Sequence, residues 1–310
     1  MKMIGIAIAV IIGLFIAVEV ALRLLFGFGN PPVYIPDEKI GYLLAPNQKL
    51  RRFGNRFEIN PYSMRSAAVT PTSDTPRVLL LGDSVANGGW WTDQAQIISA
   101  FMQQQLTERL PGNSPAIEVL NASANSWGPR NERAYLEKFG TFGAKAVVLL
   151  INTDDLFATQ PSSIQVGRDR NYPDKKPPLA WVEVVSRYLL PAPTVPKLPE
   201  EKGDRVGFNL EAIHEIQQIV TENQGKFLLA ITPLLRELGE PGPRDYELKA
   251  RQRLQQFTQQ HQIPYLDFLD PFNAVEEPAS LYRDHIHLSP SGNELVTRQI
   301  TEALAPMMSF

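Results

Sequence analysis

A serine, an aspartate and a histidine in this chain have the types and spacing for acyl transfer. Ser84 stands near the end of the segment Val78–Val85, VLLLGDSV, in which three leucines run into Gly82-Asp83-Ser84. Such an apolar run reads as a buried parallel strand, and the turn behind it exposes one hydroxyl. Near the C-terminus stands Asp284-His285-Ile286-His287. A loop lets a carboxylate three residues ahead of a histidine hold its Nδ1–H, so that Nε2 can take a proton from a serine. Ser84, His287 and Asp284 are therefore the expected nucleophile, base and orienting acid. His285 adjoins Asp284, which makes the same contact harder. His214 lies in an amphipathic helix and His261 near a helix end, and both are read as structural or solvated. The plain alternative for Ser84 is a helix N-cap.

Strands must carry these residues to one place. Arg77–Leu81, Ile117–Asn121, Ala146–Asn152, Phe227–Thr232 and Pro264–Phe268 read as strands. Helices are expected at Thr92–Leu110, Asn131–Phe139, Leu210–Asn223, Arg244–Gln260 and Pro290–Ala305. Thr92 and Asp93 would open the first helix and Pro111-Gly112 close it, while Ser289 would cap the last. Five strands alternating with helices predict a parallel sheet between helical layers, with ligands at the carboxyl ends of its strands.

The 310 residues are 44% hydrophobic and 20% charged with net charge -3, ordinary globular values. They hold no basic excess that would suggest nucleic acid. The absence of cysteine excludes disulfides and thiol chemistry and leaves the compartment open. Met3–Val18 has no charge, and Ile4–Phe26 exceeds the roughly 20 residues that cross a bilayer. With no small-x-small cleavage site evident, a membrane anchor is expected rather than a cleaved signal. Glu19 and Arg23, four apart, would neutralise each other near the interface. Lys2 favours an N-terminus inside and the folded part outside the cytoplasm.

Two segments break the alternation. Gly29–Pro76 reads as a solvated linker or a β-like strap, whose Lys49, Arg51, Arg52 and Arg56 would otherwise meet anionic headgroups. Between Leu156 and Phe208 lies a proline-rich block with one helical run, Ala180–Leu190. A loop this long is a lid, an interaction arm or disorder. Trp181, Val184, Val185, Tyr188 and Leu189 would pack it down.

Together these residues resemble the SGNH (GDSL-type) hydrolase superfamily over about Arg77 to Ala305, with Gly82-Asp83-Ser84 as its first block and Asp284-x-x-His287 as its last. The resemblance implies a flavodoxin-like three-layer α/β/α fold and an acyl-serine mechanism. It also implies an oxyanion hole from the Ser84 N–H, the N–H at Ser126 within Asn121–Gly128, and the Asn152-Thr153-Asp154-Asp155 block. Ser126 stands at the family glycine. Asp154 stands at the family asparagine, and an ionised aspartate cannot donate to an oxyanion. A protonated Asp154, the amide of Asn152, or backbone N–H groups alone would restore the hole. The expected organisation is a transmembrane anchor at 1–28, an extended lead-in at 29–76, and a hydrolase domain at 77–310 with an insertion at 157–208. The expected activity is hydrolysis of short-chain or acetyl esters, without cofactor or metal. O-acyl transfer to an envelope polysaccharide, or a silent carbohydrate-binding scaffold, are the alternatives. Trp90 and Trp91 would form a sugar platform or simply pack. The sequence leaves the oligomeric state open.

Overall fold

The computed structural model describes residues 2–69, 75–109, 117–196, 198 and 200–308. Helix α1 (Lys2–Ala21) runs on through a wider turn, Leu22–Phe26, to Gly27. It is long and apolar enough to cross a membrane, by length and composition, and none of that window is buried in the protein. Two antiparallel hairpins follow, β1 (Tyr34–Asp37) with β2 (Gly41–Leu44), and β3 (Gln48–Arg52) with β4 (Asn55–Ile59). They are a packed strap, not a solvated linker. Tyr42, Leu44, Phe57 and Ile59 are buried in the same core as the main sheet. Arg52 is likewise not solvated. Its guanidinium is buried against Glu183 at 2.7 Å and donates to Gly27 O at 3.0 Å. Arg56 binds Asp93 and Lys49 binds Glu58.

The remaining elements are β5 (Arg77–Gly82), α2 (Ser84–Asn87), α3 (Ile98–Glu108), β6 (Glu118–Ser123), α4 (Pro129–Phe139), β7 (Ala146–Asn152), α5 (Ala180–Val184), α6 (Arg205–Glu222), β8 (Lys226–Thr232), α7 (Asp245–Gln260), β9 (Tyr265–Asp267), α8 (Leu269–Asn273) and α9 (Pro290–Leu304). The sheet is parallel throughout, in the order β6-β5-β7-β8-β9. Its strands are apolar on both faces because both faces are covered. Leu79, Leu81, Val147 and Leu149 join the core beneath α4 and α6, whereas Val78, Leu80, Val148 and Leu150 join the core beneath α3 and α9. Each fully buried leucine contributes about 1.5–3 kcal/mol. The architecture is three-layered α/β/α. The chain leaves β5 for β6 on one side and returns to β7 on the other, which opens a crevice at the carboxyl ends of β5 and β7.

Several expected boundaries move. Helix α3 starts at Ile98, not Thr92, because the Asp93 carboxylate is held by the backbone and side chain of Arg56 and caps Ala95 in a separate turn. The closing Pro111-Gly112 lies outside the described residues. Helix α6 begins at Arg205, inside the expected insertion, where Asn209 donates to the carbonyls of Leu156 and Ala158. Ser289 does cap α9, accepting from Gly292 N.

Candidate active site

β5 delivers Ser84 to the carboxyl edge of the sheet, and Gly82 makes the delivery possible. A Cβ on Gly82 would lie 2.4 Å from the carbonyl oxygen of Leu150 on the neighbouring strand, so any side chain would pry the strands apart. Asp83, not Ser84, caps the short helix α2, its Oδ1 accepting from Val85 N at 2.8 Å. Ser84 becomes the first helical residue. Its Oγ lies 2.9 Å from Nε2 of His287 and 3.1 Å from Oδ2 of Asp83.

His287 comes from the loop before α9. Its Nδ1 is 2.8 Å from Oδ2 and 3.0 Å from Oδ1 of Asp284. Oδ1 also accepts from the backbone N–H groups of Ile286 and His287, which pins the carboxylate in place. Partial burial raises the Asp284 carboxyl, but those amides and the imidazole outweigh it and hold the group below its ordinary value. Residues 203 positions apart thus form one relay, Asp284–His287–Ser84. His285 does not join it. Its Nδ1 is 3.8 Å from Asp284, and its side chain is 82% exposed.

Two cavities meet at Ser84, and both also touch Ser126 and Ile286. A polar one of about 330 Å³ runs past Asn152, Asp154, Thr159 and Ser162. An aromatic one of about 380 Å³ runs past Trp90, Trp91, Tyr172 and His287. Trp91 meets the imidazole of His287 in a T-shaped contact, centroids 4.6 Å apart. Trp90 lies between Phe53 and the guanidinium of Arg52. Both tryptophans therefore pack and wall the cavity at once.

Ser126 has φ of 57°, the left-handed region that glycine visits freely, so it keeps a glycine-like backbone despite its side chain. Its Oγ accepts from the Tyr172 hydroxyl at 2.8 Å. Asn152 faces the polar cavity as its strand register requires, but its amide is committed. Nδ2 donates to Asp83 Oδ2 and to Asp155 Oδ2, each at 2.9 Å. As arranged, Asn152 positions Asp83 and does not offer the unoccupied amide expected of it. Asp154 is exposed at the cavity wall.

Two features escaped sequence reasoning. Tyr172 sits in the proline-rich block, where no periodicity marks a contact. Glu132 sits on α4 in a polar-looking stretch, yet it is fully buried, and neither carboxylate oxygen has a hydrogen-bond partner among the described residues. Burial, then the charge of Asp83, push the Glu132 carboxyl well above the usual carboxylate range. Burial, then Asp83 and Glu132, do the same to Asp155. The folded chain therefore keeps a proton on Glu132 that the unfolded chain releases. The stability this confers is complete below the ordinary carboxyl pKa and is lost as pH rises through the raised one. Glu132→Gln, which stays neutral, is expected to raise the melting temperature of the full chain in detergent at about pH 8.5 and much less at about pH 5. The scale is about 2–4 °C per kcal/mol of relieved desolvation. Equal shifts at both pH values would refute the account.

Residues 80–295 match the GDSL-like lipase/acylhydrolase family, and the chain belongs to that family of hydrolases. No curated protein matches the chain. Among solved structures it is similar to a catalytic mutant of an acetylxylan esterase from Geobacillus stearothermophilus, at 15% identity and TM-score 0.50 over 76% of this chain and 97% of that one. It is also similar to an α/β hydrolase enzyme from the metagenome of Lake Arreo, Spain, at 14% identity and TM-score 0.50 over 78% of this chain and 100% of that one. At such identities the likeness establishes the fold, the three-layer architecture described above.

Proposed function

We propose that the protein is a serine ester hydrolase working through an acyl-serine intermediate on esters with short acyl groups, acetyl esters foremost. The observation that carries this reading is the hydrogen-bonded relay Asp284–His287–Ser84 at the carboxyl edge of the sheet. Cavities of about 330 and 380 Å³ meeting at Ser84 give room for the acyl and alcohol parts of an ester on either side of the hydroxyl. Ser84 Oγ attacks the ester carbonyl while His287 Nε2 takes its proton. The tetrahedral oxyanion forms beside the N–H groups of Ser84 and Ser126. His287 then gives the proton to the leaving alcohol, and the acyl group stays on Ser84. Water, deprotonated by the same imidazole, releases the acid.

A second reading rests on the two cavities sharing Ser84. An alcohol entering from one side while the leaving group exits on the other makes the same site an O-acyltransferase. The Trp90 and Trp91 wall suits a glycan acceptor or an acylated glycan substrate. A catalytically silent scaffold is the outcome if Ser84 proves inert.

The decisive experiment is labelling of the full chain in detergent with a fluorophosphonate, followed by peptide mapping. One adduct on Ser84, lost in His287→Ala, supports the hydrolase. No adduct on folded protein favours the scaffold. Asp154→Asn is expected to raise both the labelling rate and turnover by about 10-fold or more, bounded by the ~10²–10³ that one oxyanion donor supplies. An unchanged or lower rate would show that Asp154 does not oppose the oxyanion.

The N-terminal helix fits a membrane anchor or a signal sequence by length and composition. We read it as a retained anchor because the helix is docked, and place the folded part outside the cytoplasm because Lys2 favours an inside N-terminus. Glu19 accepts from the N–H groups of Ala180 and Trp181, and Arg23 donates to Pro178 O.

A further inference from the structure

We propose that the helical run at 180–190 is a membrane-seated wedge. Leu179, Trp181 and Val182 are immersed in the lipid leaflet that holds α1, and Leu189 and Leu190 rest at its headgroup boundary. The inference depends on reading α1 as a retained anchor and goes beyond it, since an anchor alone leaves the folded part free to float above the bilayer.

The depth follows from contacts along α1. The uncharged run Met3–Val18 precedes Glu19, roughly 24 Å of helix, so Glu19 lies near the edge of the hydrocarbon layer. Its carboxylate is bound to Arg23 and to the backbone N–H groups of Ala180 and Trp181, which places residues 180–181 at that depth. The Trp181 ring reaches one turn deeper, where it stacks on Phe15 with centroids 5.8 Å apart. Phe15 belongs to the charge-free stretch, so Trp181 lies level with acyl chains. The run then climbs back. Tyr188, two turns on and on the same face as Trp181, meets Phe28 edge to face at 6.0 Å, just past the end of the anchor.

The apolar residues on the neighbouring face are left partly bare by the described residues. Val182 and Leu189, seven apart and so on one side of the run, are 43% and 73% exposed, Leu179 is 38% and Leu190 55%. Water is a poor neighbour for such a patch, and Trp181 beside it stacks on Phe15 of the bare apolar α1, which names lipid as the occupant. The linkage to the folded part is stiff. Glu183, on the same run, accepts from Gly29 N at 2.7 Å and from buried Arg52, whose guanidinium stacks on Trp90 of the aromatic cavity. Arg187 walls that cavity directly. The wedge therefore sets the mouth of the aromatic cavity beside the headgroups, where an amphiphilic ester would be presented.

The chain has no cysteine, so each introduced one is a unique reporter. Full-length protein carrying Ile11→Cys, Val182→Cys, Leu189→Cys, Asn171→Cys or Glu222→Cys is labelled with an environment-sensitive fluorophore and reconstituted into phosphatidylcholine–phosphatidylglycerol vesicles. The quenchers are acyl-brominated lipid or headgroup-nitroxide lipid. The wedge predicts bromine quenching at Ile11 and Val182 alike, at least 2-fold above that at Glu222, which sits at the far end of the sheet. It predicts headgroup-nitroxide quenching at Leu189 and at Asn171 on the cavity rim. Quenching at Ile11 with none at Val182 overturns the wedge and leaves the anchor standing. Quenching at neither removes both. Val182 shielded from water yet untouched by brominated lipid assigns the patch to a second copy of the chain and overturns the proposal.

Discussion

Ser84→Ala is expected to lower ester turnover by about 10⁴-fold or more, with the fold intact. The hydroxyl is the only side-chain group of Ser84 that the chemistry uses, and among the described residues no other hydroxyl is hydrogen-bonded to His287 Nε2. Its loss also frees Asp83 Oδ2 from one contact, but Asn152 Nδ2 still donates to that oxygen. The buried polar network therefore survives. The check is a kcat/KM series on acetyl and longer esters, with circular dichroism as the folding control. The double variant Ser84→Ala with His287→Ala should be no slower than Ser84→Ala alone, because a base without its nucleophile has nothing to deprotonate. A further loss in the double variant would mean that His287 activates water once the Ser84 hydroxyl is gone, and that the two side chains do not act as a single unit.

Asp284→Asn is the second large effect, expected to reduce kcat by about 10⁴-fold with little change in KM. The substitution is nearly isosteric, and an amide oxygen in the place of Oδ1 can still accept from the N–H groups of Ile286 and His287. What changes is the neighbour of Nδ1. An NH₂ group facing it favours the tautomer with the proton on Nε2, and that nitrogen can then no longer accept from Ser84. The loss should therefore appear in kcat and in fluorophosphonate labelling together. Because the folded Asp284 carboxyl sits below its ordinary value, its contribution to stability is full above the usual carboxylate range and is lost as pH falls through the lowered one. The stability gap between Asp284→Asn and the parent should accordingly narrow as pH drops toward 3. A rate loss confined to KM would show that Asp284 serves binding instead.

The alternation of strands and helices was readable because its physics is local. Fully covered parallel strands are apolar at every position, and Ala146–Asn152 stands in the structure with the ends expected of it. Boundaries set by partners far along the chain were not readable. Thr92 and Asp93 look like a helix start, yet Arg56, 37 residues earlier, takes the carboxylate and delays the helix to Ile98. Arg52 looks like a solvated cation, yet Glu183, 131 residues later, draws it into the interior. Glu132 carries no local sign of burial, because nothing in its helix reveals that both neighbouring surfaces are protein. Leu189 was expected to pack the insertion down and instead faces outward, since Trp181 and Tyr188 take the face that meets α1 and Phe28.

What the chain alone determined is chemical identity and order. The serine follows a strand, the histidine sits three residues after an aspartate, and an apolar helix precedes everything. Types, periodicities and short spacings are properties of neighbours in sequence, and covalent geometry makes them legible. Only the tertiary structure decided which groups meet across 203 residues, that the amide of Asn152 is tied to two carboxylates, and that the proline-rich block grips the N-terminal helix while walling the cavity. Those outcomes depend on excluding water from surfaces far apart in the chain. That exclusion exists only once all the layers have closed on one another.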